Sequence, residues 1–535
     1  MNSKFWQDKI KAFLHDPPDK ALILGSGISH EHKRDEILDK INLVYDKRLD
    51  TADHIASAMQ RLSLSEDLGK FHIYFVDPIK PIFKHTLSGA IESLKEIKDF
   101  IETYGYKKAL ETYGFTPENV EEFRDKDWKK TYFLLWRFLP EIYNPSLSYF
   151  LPADTRIPDH SIWDHLDVTA AISSCLEEGL SLFSVKIPAV QEFISQSRKL
   201  ADLWAASHIF STIIFEGIKS VVEEYGPDVV IYPQLRGNPM VDLTEFKGEN
   251  GSFVLYNEGQ RLNILKENPK ENLYIANFPN TFLSFISTSK ANKIAENVEN
   301  EIKGRWKKIA NEVKRLLDES NIQMDESLWN NQIENAIETT STWIEFFNFD
   351  KFKSVKENIP NDLNEKQEKW LDFTEDSKSY RGLKVERHGL SRYRILDRGI
   401  EKLKIIARNK EVFIDTCSEI FIDKEKVEIL KSLYEWLHKD PSHFYYITYE
   451  LLGTILMQKS RFWNAWEEKP VTNKKCLMCG RRNALLLRDE DGNYKVWKGN
   501  GWSDVVLRET LKPVSYTHLR AHETSLHLVC RLLLE

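Results

Sequence analysis

Three short stretches carry His and Asp side chains of the kinds that bind divalent metals. KAFLHDPPDKAL sets His15 beside Asp16, TADHIASAMQRL supplies Asp53, and PDHSIWDHLDVTAAI supplies the pair Asp164-His165. Neutral imidazole and carboxylate together suit manganese, iron, nickel, cobalt or zinc. Two such ions about 3.5–4 Å apart can activate water and neutralise the charge that develops on a phosphodiester. An adjacent His-Asp pair helps because the carboxylate can bridge both ions while the imidazole holds one. The dipeptide occurs about once by chance in a chain of this composition, so its context carries the weight. An apolar helix leads straight into the pair, and Lys20 follows four residues after Asp16, where a cation could meet a substrate phosphate. Blander readings stand beside these. Asp53 could be a helix N-terminal carboxylate favoured by the dipole, and His165 a packed histidine. His30 and His32, in GISHEHK, read as solvated loop residues or as extra ligands, and His160 is equally open. Separately, Cys476-x-x-Cys479-Gly480 is half of a tetrahedral thiolate site for zinc. No second pair precedes Pro513, so two free loop cysteines are the alternative.

Helices must hold the first set. Ile10, Phe13 and Leu14 recur at i, i+3, i+4, and Ile55, Met59 and Leu62 at i, i+4, i+7. Pro17 and Pro18 stop the first helix, since neither offers a backbone donor. Asp53 falls in the first turn of its helix, and His165 lies beside a stripe of Trp163, Leu166 and Ala170. From Leu182 the periodicity changes. LFSVKI, VVIYP (229–233) and FLSFIST (282–288) read as strands, with helices over about 190–224 and 290–317. Strand, helix, strand, strand, helix is the order of a ferredoxin-like unit. Arg236, Asn238 and Asp242 follow the second strand, and an ordinary loop role fits them as well as a binding role. Residues 320–470 read as mainly helical and charged.

The 535 residues exceed one core, and the fold class is α+β multidomain. The formal charge of −8 means that any nucleic acid is handled locally or through partner subunits. No apolar run approaches a membrane span, and MNSKFWQDKIKAFLHD lacks the features of a signal peptide, so a cytoplasmic protein with no membrane partner is expected. From about Val514 the chain reads VSYTHLRAHETSLHLVCRLLLE, an abrupt change of composition that resembles a translated sequencing adapter. The alternative is a genuine terminal segment.

KAFLHDPPDKAL, ADHIASAMQRL and LPADTRIPDHSIWDHLDVTAAI resemble the signature blocks of the large subunit of type III-B (Cmr) CRISPR effector complexes. So do three later blocks, VKIPAVQEFISQSRKLADLWAASHIFSTII, YGPDVVIYPQLRGNPMVDL and ANFPNTFLSFIS. The sequence departs from that pattern at Pro188-Ala189 and Thr281. The resemblance implies a circularly permuted HD nuclease domain over 1–180 and a first palm, ferredoxin-like and cyclase-like, over 181–320. It further implies a helical linker region opening a zinc knuckle over 321–513, with the adapter-like tail at 514–535. Carried over, the metal ligands are His15, Asp16, Asp53 and His165 with Asp164 as a neighbour, and the catalytic set is His15, Asp16 and Lys20. The ion would be manganese, nickel, cobalt or magnesium. Cys476 and Cys479 would hold zinc once a second pair is supplied. The expected partners are the other Cmr subunits, guide and target RNA, and single-stranded DNA as the nuclease substrate. In the full-length family the palms bind ATP and make cyclic oligoadenylate, chemistry that needs a Gly-Gly-Asp-Asp turn. None occurs in these 535 residues, so no synthesis is expected from this chain alone. The alternative is a silent scaffold or regulatory subunit of the same complex. A type III-A relative is a further alternative, disfavoured by DHSIWDHL and the Arg-Gly-Asn-Pro run.

Overall fold

The computed structural model describes most of residues 3–59, 95–246, 275–347 and 469–505, together with a short hairpin pairing Ile82–Lys84 with Ile91–Ser93. Cys476 and Cys479 lie outside the described residues, as does everything from 506 onward, including the adapter-like tail. Among the described residues no helix is long and apolar enough to cross a membrane.

The first part of the chain is helical. Helix α1 (Ser3–Phe13) buries Trp6, Ile10 and Phe13, spaced i, i+4, i+7, so one stripe faces the core. After the two prolines come α2 (Lys20–Ser26), α3 (His30–Asp39), α4 (Asp50–Met59) and α5 (Lys95–Tyr113). Helix α6 (Trp128–Ile142) is started by Asp127, whose carboxylate accepts from the Lys129 amide at 2.9 Å. It buries Tyr132, Leu135, Trp136 and Leu139. Helix α7 (Ile162–Ser173) is capped by the Ser161 hydroxyl, which accepts from the Asp164 amide. Residues on most of its circumference are buried, from Ile162 and Trp163 to Thr169 and Ala170, so α7 runs through the centre of this unit. Trp163 stacks on Phe13 of α1, joining the helices that carry His165 and His15. GISHEHK is not a loop: His30 opens α3, behind the cap residue Ser29.

A four-stranded sheet follows. Strand β1 (Leu180–Lys186) leads to helix α8 (Leu200–Tyr225), then β2 (Val230–Tyr232) and the short helix α9 (Pro239–Glu245). Next come β3 (Thr281–Ser287), α10 (Ala291–Glu319), α11 (Glu326–Glu334) and β4 (Thr340–Phe347). The strand order is β2-β3-β1-β4 with every neighbour antiparallel, the ferredoxin-like arrangement. β1 and β3 are buried over almost their whole length, as central strands must be. Helices α8 and α10 cross at Gly217, where a Cβ would stand 3.0 Å from Ile302, so glycine permits their approach.

The mainly helical reading of 320–470 does not hold at β4. Thr342 and Ile344 are buried while Ser341 and Trp343 are half-exposed, the period-2 alternation of an edge strand covered on one face. Three further short strands, β5 (Leu486–Arg488), β6 (Tyr494–Trp497) and β7 (Trp502–Val505), form a meander beyond the cysteine pair. It rests on α11 through the Asp325 amide, which donates to the Trp497 carbonyl at 3.0 Å, and through Gln332, which donates to the Asn483 carbonyl.

Candidate metal centre

The turn that ends α1 is the first half of the site. The Leu14 amide still donates to the Ile10 carbonyl, and the His15 amide to that of Ala12. Pro17 and Pro18 then forbid further helix. His15 and Asp16 are therefore fixed in the turn that follows α1, and both are buried. His15 Nδ1 lies 2.7 Å from the Ala12 carbonyl, which can only accept, so Nδ1 carries the proton and Nε2 faces inward. A metal-binding histidine is commonly oriented in this way.

Helix α4 brings Asp53 from its first turn, and α7 brings His165. His165 Nε2 is 3.1 Å from His15 Nε2 and 3.0 Å from Asp53 Oδ1. His15 Nε2 is 3.4 Å from Asp16 Oδ2 and 3.5 Å from Asp53 Oδ1. The four donor atoms all lie within 4.8 Å of one another. Donors bound about 2.1 Å from a common ion are themselves roughly 3–3.5 Å apart, so this set fits a divalent cation.

Lys20 donates to Asp16 Oδ2 at 2.5 Å. The other oxygen of Asp16, Oδ1, is 3.8 Å from His30 Nε2. Asp164 is exposed and accepts from the Ser161 hydroxyl at the start of α7, outside the group of four. The His160 ring is 6.1 Å from that of His165, centroid to centroid. His32 is exposed and paired with Glu36.

The charges respond to this crowding. Burial alone would depress the His15 imidazole, but Asp16 and Asp53 outweigh it and raise its pKa to about 9. Burial and the charge of His15 push His165 down, against the pull of Asp53. Burial would raise the two carboxylates. His15, Lys20 and His165 instead hold Asp16 well below the usual range, and the two histidines do the same for Asp53. In the metal-free chain both carboxylates are thus ionised and His165 is kept neutral, while His15 carries an extra proton that a bound cation would displace.

Sequence reasoning missed the residues that brace this turn. Asp19 is buried and accepts from the Phe115 amide at 2.7 Å, tying the segment after the prolines to the end of α5. Lys9 and Asp167, which have no metal-ligand spacing, join α1 and α7 to the sheet, as does Arg236, which the sequence left open between a loop and a binding role.

Known proteins similar to this chain point to one family. The model of CRISPR-associated protein Cmr2, N-terminal, matches residues 182–311, from β1 into α10. The CRISPR system Cmr subunit Cmr2 of Pyrococcus furiosus is 27% identical over 438 residues, covering 70% of this chain and 47% of that protein. Cmr2 of Saccharolobus solfataricus is 29% identical over 262 residues, 44% of this chain and 24% of that protein. Among solved structures, type III-B Cmr-beta bound to cognate target RNA has 18% identity and a TM-score of 0.49, covering 98% of this chain and 49% of that one. The chain spans about half or less of the curated relatives it matches. The chain is thus similar to Cmr2 subunits, matching the family's N-terminal model over residues 182–311 and aligning with two of its members.

Proposed function

We propose that the helical unit is a permuted HD-type, metal-dependent phosphodiesterase that cuts single-stranded DNA within a Cmr complex. The observation that carries this reading is the convergence of His15, Asp16, Asp53 and His165, from three separate helices, within 4.8 Å. These four would hold manganese, nickel, cobalt or magnesium, and such an ion supplies a nucleophilic water and neutralises phosphate charge. The chain's own part is to hold the ligands ready: Ala12 sets the His15 tautomer, and Lys20, paired with Asp16, places a cation beside the site for a substrate phosphate. Asp53, the most exposed of the four at 29%, marks the side from which a substrate reaches the centre.

The ferredoxin-like unit is the first palm in this reading. With the rest of the protein it would contribute to ATP binding and cyclic oligoadenylate synthesis, and Cys476 and Cys479 would supply half of a zinc knuckle. Guide RNA, target RNA and the other Cmr subunits are the proposed partners. A second reading, a silent scaffold subunit, draws on burial: His15, Asp16 and His165 are each at most 4% exposed, which narrows access.

Metal analysis and manganese-dependent cleavage of single-stranded DNA, comparing wild type with Asp16→Ala, separate the two. The nuclease reading expects bound metal and a cleavage rate reduced at least about 100-fold in the variant. Cleavage that Asp16→Ala leaves intact would defeat it, and metal binding without cleavage in the assembled complex would favour the scaffold.

A further inference from the structure

Lys9 sits on α1, six residues before His15, with a side chain only 1% exposed. Its ammonium lies 2.7 Å from Asp228 Oδ2 and 2.5 Å from the Ser174 hydroxyl, and reaches the Ala170 carbonyl at 3.4 Å. Asp228 belongs to the turn entering β2, while Ala170 and Ser174 belong to the end of α7. One buried cation thus joins α1 and α7 to the sheet unit. There is no slack around it. Gly226 has φ +101°, and a Cβ there would stand 2.8 Å from Asp228 Oδ1 and 2.9 Å from Lys9 Cε.

Arg236, in the loop after β2, repeats the arrangement. Its Nε donates to the Trp136 carbonyl of α6 at 2.9 Å, and its terminal nitrogen to Asp167 of α7 at 2.7 Å, two residues past His165. The guanidinium lies over the Trp136 ring. Arg137 of α6 then grips Asp242 of α9 through two hydrogen bonds, 2.8 and 2.9 Å. These three anchors on the sheet side, Asp228, Arg236 and Asp242, fall within one segment of 15 residues.

We propose that this segment is a positioning platform for the metal centre, with Lys9 and Arg236 as positioning residues that set the separation of α1 and α7. The inference rests on the metal reading above. Buried ion pairs add little net stability compared with apolar groups of the same volume, yet they fix direction. The quantity they fix here is the approach of His15 Nε2 to His165 Nε2, on which metal affinity depends. Through these contacts a displacement of β2 or α9 reaches the cluster without any change in the four ligands.

The test is a cobalt(II) titration of the full chain, read by calorimetry and by the visible ligand-field spectrum. Wild type is compared with the paired variant Lys9→Met/Asp228→Leu and with Arg236→Lys, which keeps a cation near Asp167 but loses the fork. Thermal midpoints are taken in chelator. The platform expects apo midpoints close to wild type, cobalt affinity lowered about 10-fold in the paired variant and several-fold in Arg236→Lys, and an altered spectrum in both. If the paired variant does not fold, Arg236→Lys decides. Wild-type affinity and spectrum in a folded variant would overturn the inference, as would an affinity loss that merely tracks a lower apo midpoint. A wild-type chain that binds no cobalt would instead defeat the metal reading itself, and this inference with it.

Discussion

Two buried polar constellations lie within one helix length of each other, and they are built on opposite principles. At the junction each cation faces carboxylate: Lys9 with Asp228, Arg236 with Asp167, Arg137 with Asp242 and Glu141. Three cations there meet four carboxylates, and each cation has a carboxylate of its own. At the cluster, two imidazoles and two carboxylates converge across 3.0–3.8 Å, and Lys20 stands beside them. No donor there has a single dedicated partner, and two Nε2 atoms meet at 3.1 Å. Charges paired one against another between elements specify structure, whereas donor atoms that converge on one point read as a binding site.

The contrast breaks first on stability. Arg137→Met would leave Asp242 and Glu141 buried without their cation, and urea unfolding should show a loss of about 3–5 kcal/mol. A loss under about 1 kcal/mol would mean that water or another group already serves those carboxylates. His165→Ala should behave in the reverse way. Unfolding measured in chelator should shift by only about 1–2 kcal/mol, since the change also relieves the apposed imidazoles. Metal affinity should fall more than about 100-fold, because a ligand and not merely its support is gone. If calorimetry showed unaltered metal binding, the cluster would be another structural network.

Asp19, three residues past Asp16 and bonded to Phe115 instead of to either group, sharpens the comparison through pH. Burial raises its carboxyl to about 6, against the lowering pull of the Phe115 amide and Lys33. Its folded pKa is above the unfolded value near 3.8, so the folded chain binds the extra proton between those values. This stability is fully present below about pH 3.8 and is lost as pH rises through about 6, by up to about 3 kcal/mol. Asp19→Asn keeps an acceptor for the Phe115 amide and removes the charge. The gain of the variant over wild type should therefore grow from pH 4 to pH 7, and a gain independent of pH would count against a buried, ionising Asp19.

How much of this was legible in the sequence depended on whether the signal was local. His15-Asp16 before two prolines, and Asp53 in a helix's first turn, are local signals, and the structure brings both to one place. The strands 180–186 and 281–287 were legible as apolar runs longer than any neighbouring turn, each shifted by one or two residues at its ends. The strand 340–347 was not. Its residues are half polar, and its identity comes from pairing with β1, more than 150 residues earlier. The junction pairs were invisible for the same reason. Nothing about Lys9 on an amphipathic helix announces Asp228, and only the packing of α1 against the β2 turn removes that ammonium from water. Asp164, next to His165 in sequence, shows the converse: adjacency put it in the candidate set, while its position at the α7 start turns it toward Ser161 and solvent.

Lys20 gives the smallest effect, and its sign is the informative part. Its ammonium holds Asp16 Oδ2, the same oxygen that faces His15 and His165. In the metal-free chain it acts as a partial substitute for the cation, so Lys20→Met should cost about 1 kcal/mol of stability in chelator. Once metal is added, the lysine competes for that oxygen and adds repulsion, so the variant should bind metal a few-fold more tightly. Titration of Lys20→Met beside wild type checks this. Weaker binding in the variant would mean that Lys20 chiefly orients Asp16, which would make it a junction-type residue located at the cluster.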